Sequence, residues 1–185
     1  MRYLGSFLRE VIVTLLIALL LFLGIRYSIQ NSEVIGYSME PNLHNGERVL
    51  INKLAYRLGG TPHRGDVIVL IPPETLSSEN DFIKRIIGLP GERVELRGGK
   101  VYIHQADGNI FALDETYVPN PSVRNYTGDV IPPGRYFVMG DNRNNSSDSR
   151  GGWTVALKDI VGKAWLVTWP PSDIGLAPNY ALPSG

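Results

Sequence analysis

The 185-residue chain contains no cysteine. That absence excludes disulfide frameworks, thiolate nucleophiles and cysteine-based zinc sites, so stability and chemistry must come from other groups. Net charge is also missing: 18 basic and 18 acidic residues cancel, and no strongly basic stretch breaks the balance. Nucleic acid is therefore not an expected partner. Histidine is scarce, with only His44, His63 and His104, each in a different local setting. No G-x-S-x-G elbow accompanies them, so a Ser-His-Asp triad is not indicated. There is no H-E-x-x-H spacing and no Walker A pattern, and neither a metal nor a cofactor is expected. An S-x-x-K motif is lacking too, because Ser38 is followed by Met39, Glu40 and Pro41.

What the chain does have is one long apolar run, VIVTLLIALLLFLGI, from Val11 to Ile25. As a helix the run covers ~22 Å, short of a hydrocarbon core of ~30 Å. Leu4, Phe7 and Leu8 extend it on one side and Tyr27 and Ile29 on the other, while Arg9 and Arg26 can snorkel to the headgroups. The following IRYSIQN lacks the small residues, three apart, that a cleavage site needs, which favours a retained anchor over a removable signal. Arg2, Arg9 and the terminal amine precede the span and only Arg26 closely follows it, so the N-terminus is expected in the cytoplasm and the bulk outside. The expected division is a cytoplasmic segment 1–9, a transmembrane anchor 10–28 and one extracytoplasmic domain 29–185.

That domain reads as mainly β. RVLIN (48–52), DVIVLI (66–71), DFIKRII (81–87), RVEL (93–96), KVYIH (100–104), RYFVMG (135–140) and KAWLVTW (163–169) are rich in strand-forming residues. Turn chemistry such as NG, GG, LPGE, PPG and GDN separates them. NKLAYRL (52–58) is the one candidate helix outside the anchor, stopped by Gly59 and Gly60. Residues 105–133, with four prolines and short apolar pieces such as NIFAL, read as an insertion or extended hairpin, and the tail after Pro170 as irregular.

With thiols and histidine triads set aside, nucleophilic catalysis would need a serine with a lysine base. Lysine titrates near ~10.4 and serves as a base near neutrality only when burial or a nearby cation favours its neutral form. In FIKRIIG, strand alternation puts Phe82, Lys84 and Ile86 on one face and Ile83, Arg85 and Ile87 on the other. Lys84 thus shares its face with two bulky apolar neighbours, as a desolvated base would. The same segment also suits an exposed edge strand on which Lys84 and Arg85 deter aggregation. Ser38, in GYSMEPNL (36–43), is equally two-sided: most serines in such a setting serve turns. Met39 beside it suits either lipid or core. GDNRNNSSDSR (140–150) is either a solvated loop or a buried polar network that orients a base.

Together these segments resemble the type I signal peptidases, membrane-bound Ser/Lys endopeptidases that remove signal peptides from exported proteins. The resemblance rests on an N-terminal anchor, GYSMEPNL (similar to the family's S-M-x-P-T-L), RGDVIVL (64–70), KRIIGLPGE (84–92) and GDNRNNSSDSR, in that order. It implies a signal-peptidase-like antiparallel β catalytic domain with one N-terminal transmembrane helix. It further implies Ser38 as nucleophile, Lys84 as general base, Ser146 as the hydroxyl that orients the lysine, and Asp148 and Arg150 as a supporting ion pair. The implied partners are preproteins, with small residues at positions −1 and −3 from the cut, and the lipid bilayer. Two positions depart from the family: Asn42 stands where threonine is usual, and Gly36 where some members carry a serine hydroxyl that helps bind the oxyanion. The Ser38 backbone N–H is then the main expected donor. A repressor-type Ser/Lys autoprotease would need a DNA-binding module where this chain has its apolar run, and a non-cutting preprotein-binding domain would not need both Ser38 and Lys84.

Overall fold

In the computed structural model, residues 2–76, 78 and 80–183 are described, with side chains from residue 7 onward. The side chains of Arg2 and Leu4, invoked above as flanks of the apolar run, lie outside the described residues, as do the last two residues of the tail. One helix, α1, runs Arg2–Ser28. Its 22-residue stretch Phe7–Ser28 contains an 18-residue window with a mean hydropathy of 2.4, none of which is buried. At the helical rise that is ~33 Å, enough to cross a bilayer by length and composition. Ile29 does not prolong this helix. It opens a strand that pairs with Asn52, so the chain turns into sheet immediately after Ser28.

Twelve strands follow among the described residues. They are β1 (Ile29–Glu33), β2 (Arg48–Asn52), β3 (Val67–Leu70), β4 (Phe82–Gly88), β5 (Arg93–Arg97) and β6 (Lys100–His104). Then come β7 (Ile110–Ala112), β8 (Tyr126–Thr127), β9 (Arg135–Met139), β10 (Val155–Ala156), β11 (Ile160–Trp169) and β12 (Gly175–Leu176). All pairings are antiparallel. The large sheet has the order β1-β2-β11-β3-β4-β9-β10 with β12 on β11, and the small one β7-β6-β5-β8. The stretch 105–133 therefore contributes both outer strands of the small sheet.

The segment 52–58 is not a helix. The Asn52 side chain accepts from Leu54 N–H, Arg57 and Leu58 N–H both return to the Leu54 carbonyl, and Tyr56 Oη donates to buried Asp66 at 2.7 Å. A single turn pinned at Tyr56 replaces the helix that so short a piece could not nucleate.

Period-two alternation sorts the apolar residues of the large sheet. Val67 and Val69 of β3 join Ile83, Val49, Ile51 and Met39 on one face, whereas Ile68 and Leu70 join Ile86, Val138 and Phe82 on the other. A third cluster, with Ile87, Phe137 and Met139 against Val94, Leu96, Val101 and Ile103, welds the sheets together. Beside it Arg64 of RGDVIVL is bidentate to Glu92 of LPGE, at 2.6 and 2.8 Å, and reaches the Ile87 carbonyl. Two turn motifs far apart in sequence are thus one buried contact that fixes where β4 ends and β5 begins.

Candidate active site

β4 lies between β3 and β9, so Lys84 is not on an edge. Only 4 % of it is exposed, and its Nζ sits 5.0 Å from the Phe82 ring centroid. Burial lowers its pKa from 10.5 to about 8, against the partial pull of Asp148 and Asp141 in the other direction. Lys84 Nζ is 2.7 Å from Ser38 Oγ and 3.0 Å from the Ile83 carbonyl. As an ammonium it donates to the hydroxyl; as a neutral amine it can accept the hydroxyl proton.

Ser38 is held from both sides along its chain. Met39 is 1 % exposed and packs with Val34, Leu43 and Ile83, so it anchors the turn in the core and does not face lipid. The apolar residues that do emerge beside the serine are Ile35 and Tyr37, 64 % and 56 % exposed. From the other side Asn142 N–H donates to the Ser38 carbonyl at 3.0 Å, and its side-chain amide to the Tyr37 carbonyl at 3.0 Å. Ser38 N–H has no partner among the described residues, whereas Gly36 N–H is committed to Asn45 Oδ1 at 2.7 Å. Gly36 has φ +89°, a conformation that a residue with a side chain rarely adopts, which accounts for glycine at this position. A cleft of about 180 Å³ opens beside these groups, bounded by Val34, Ile35, Phe82, Ile83, Ser38 and Lys84.

The 140–150 loop is a buried network, not a solvated turn. Asp148 takes a bidentate pair from Arg150, both contacts 2.8 Å, and also accepts from Gly140 N–H at 3.1 Å. Arg150 continues to the Arg143 carbonyl, and Arg143 pairs with Glu115 at 2.6 and 2.7 Å. Asp141 binds Arg85, which is fully buried between contacts to Tyr117 and Tyr180, at 2.6 and 2.8 Å. Asn42 joins in: its amide donates to Asp141 Oδ2 and to the Tyr117 carbonyl, each at 2.9 Å. Asn42 thus ties the Ser38 turn to the buried ion pair.

Ser146 is brought close but not to Lys84. Its Oγ is buried without a hydrogen-bond partner, and the bonds of Lys84 go to Ser38 and Ile83. Gly140 separates Ser146 from the Ser38 turn: a Cβ there would overlap both Ser146 Oγ and the Ser38 carbonyl. Gly140→Ala is accordingly expected to push Ser38 off Lys84, cutting kcat/KM far more than the ~1–3 kcal/mol of stability that overpacking costs. Parallel kinetics and chemical denaturation decide it; an active, merely destabilised variant would show that Gly140 does not set the Ser38 position.

Sequence reasoning passed over Arg85, Asp141 and Asn142 as supports of the site. The signal was present in part, since Arg85 adjoins Lys84 and Asp141–Asn142 open the polar loop, but their partners are residues distant in sequence.

A family model described as "Signal peptidase, peptidase S26" matches residues 8–169. "Probable signal peptidase I-2" of Synechocystis sp. is 39% identical over 172 residues, 91% of this chain and 76% of that protein. "Signal peptidase I" of Leptolyngbya laminosa is 37% identical over 182 residues, 94% and 87%. "Signal peptidase I P" of Bacillus subtilis subsp. natto is 38% identical over 166 residues, 86% and 88%. With such similarity along nearly its whole length, the chain belongs to the signal peptidase family, peptidase S26, and is a serine endopeptidase.

Proposed function

We propose that this protein is a membrane-anchored endopeptidase that cleaves signal peptides from exported preproteins by a Ser38/Lys84 dyad. The observation that carries the reading is the 2.7 Å contact between Ser38 Oγ and the Nζ of a lysine whose pKa is lowered to about 8. At pH 7 roughly a tenth of such a lysine is neutral, against ~0.03 % of an unperturbed one, so burial supplies the base without a histidine. Neutral Lys84 takes the hydroxyl proton as Ser38 attacks the scissile carbonyl. The oxyanion lies at the unpartnered Ser38 N–H. Protonated Lys84 then gives its proton to the leaving amine, and the acyl-enzyme is hydrolysed by a water that the lysine deprotonates in turn.

The cleft beside Ser38 is bounded by β4 and the Val34–Ile35 segment, a suitable bed for an extended substrate. Its small volume favours small residues, such as alanine, at −1 and −3. Asp148, held by Arg150, braces Gly140, and the buried Ser146 hydroxyl beyond that glycine, which has no hydrogen-bond partner, is the group available to orient Lys84 when its bond to Ser38 is given up. Residues 10–28 serve as the anchor, with 1–9 cytoplasmic and 29–185 as the catalytic domain outside, which confines enzyme and membrane-inserted signal peptide to one surface and raises their effective concentration.

The test is incubation of the detergent-solubilised chain with a preprotein carrying Ala at −3 and −1. Release of the mature chain by cleavage at that single bond is expected. An intact preprotein, bound or not, would favour a non-cutting binder instead.

A further inference from the structure

The turn that carries Ser38 separates two cavities that share no lining residue. The cleft already described lies on the Lys84 side. The second, about 160 Å³, lies beyond Asn142 and is bounded by Glu40, Pro41, Pro119, Asn120, Asp141 and Asn142. Asn142 connects them, because its backbone and side chain hold the carbonyls of Ser38 and Tyr37. If the acyl half of the substrate occupies the first cleft, as the proposed function requires, the leaving half must depart past Ser38 on the other side.

Alternation along an extended chain picks out which residue can arrive there. An extended chain advances ~3.3 Å per residue and its side chains alternate in facing, so those at −3, −1 and +2 point the same way. Glu40 N–H donates to the Tyr37 carbonyl at 3.3 Å, closing a turn that keeps the Glu40 backbone within ~7 Å of Tyr37. Glu40 is two positions from Ser38 on that turn, so its backbone lies within the ~7 Å that the two-residue step from −1 to +2 spans. The charge of the cavity is set by Glu40. Asp141 in its wall is already neutralised by Arg85, Asn120 and Asn142 are uncharged, and the exposed ring of His44 has its Nδ1 3.9 Å from Glu40. Glu40 is itself partly exposed, and its carboxylate is not held in a buried pair.

We propose that the cavity beyond Asn142 is the subsite for the residue at +2 of the mature chain, and that Glu40 gives it a preference for lysine or arginine there. An acidic residue at +2 meets like charge and is disfavoured.

The experiment measures kcat/KM of the full chain in detergent on peptides that share Ala at −3 and −1 and differ only in Lys, Ala or Glu at +2. For a partly exposed pair the Lys-to-Glu ratio should be about fivefold in the parent, near one in Glu40→Gln and inverted in Glu40→Lys. Asn120→Asp, which adds a carboxylate to the same cavity, should raise the ratio, and added salt should shrink it in the parent, so the inference stands or falls even where a Glu40 variant folds poorly. A ratio that is the same in all four proteins overturns the inference while leaving the proposed cleavage intact. A parent that cuts none of the peptides overturns both.

Discussion

Lys84→Met should lower kcat/KM for preprotein cleavage by roughly 10⁴-fold and at the same time yield a more stable protein. The loss follows from removing the proposed base at 2.7 Å from Ser38 Oγ. The gain follows from linkage. The ordinary lysine value of 10.5 falls to about 8 in the folded state, so between those values the unfolded chain binds a proton that the folded one has released. Stability contributed by Lys84 therefore rises with pH across that window, and below pH 8 the buried cation carries its full penalty of ~3 kcal/mol. Methionine fills the site without that charge. Denaturation at pH 7 should show the variant more stable by up to ~3 kcal/mol, with the rise between pH 8 and 10.5 gone. Ser38→Ala should be as inactive as Lys84→Met but should keep the pH-dependent stability. A Lys84→Met protein that is both inactive and destabilised would show that the lysine is a packing element, not a strained base.

The largest effect on stability is expected at Asp141. Removing this carboxylate leaves the Arg85 guanidinium, fully buried, with only the Gly65 and Pro178 carbonyls at 2.8 and 2.6 Å and two tyrosine rings around it. An uncompensated buried cation costs ~3–5 kcal/mol, a large share of the ~5–15 kcal/mol typical of a folded domain. Asp141→Ala should thus unfold at much lower denaturant. Because Asn42 loses its Asp141 partner as well, the Ser38 turn should loosen and activity fall even where the variant is folded. The double variant Arg85→Met with Asp141→Leu removes both charges and should recover most of the stability. A single Asp141→Ala variant that loses less than about 1 kcal/mol would mean that water or backbone already satisfies Arg85.

Strands whose apolar residues alternate over five or more positions were legible from sequence. RVLIN and KVYIH begin and end where expected. β1 was hidden because IQNSE is polar and lies at the sheet edge, where alternation is weak, and directly after an apolar helix that masks Ile29. β11 starts three residues early: Gly162, which reads as a break, lets the Asn52 carbonyl of β2 approach where a Cβ could not sit. β8, β10 and β12 are two residues each and carry no periodic signal.

At the site, the facing of Lys84 with Phe82 and Ile86 followed from alternation within FIKRIIG. Its burial did not, because that depends on β3 and β9 flanking the strand. Met39 showed the same limit: its side chain suits lipid or core equally, and only the Val34, Leu43 and Ile83 packing decides. The Arg85–Asp141–Asn42 link joins three motifs across long separations, which no local pattern specifies.

Whether burial makes Lys84 the base that activates Ser38 is read most directly from the pH dependence of kcat/KM on an uncharged-site peptide. This profile reports ionisations of the free enzyme. With Lys84 as that base, kcat/KM rises about tenfold per pH unit up to a bend near the Lys84 value of about 8 and is level above it, and the rise is absent from Lys84→Met. A bend near ~6.5, as for a histidine, or a climb that continues to ~10.4, as for a solvated lysine, would contradict it.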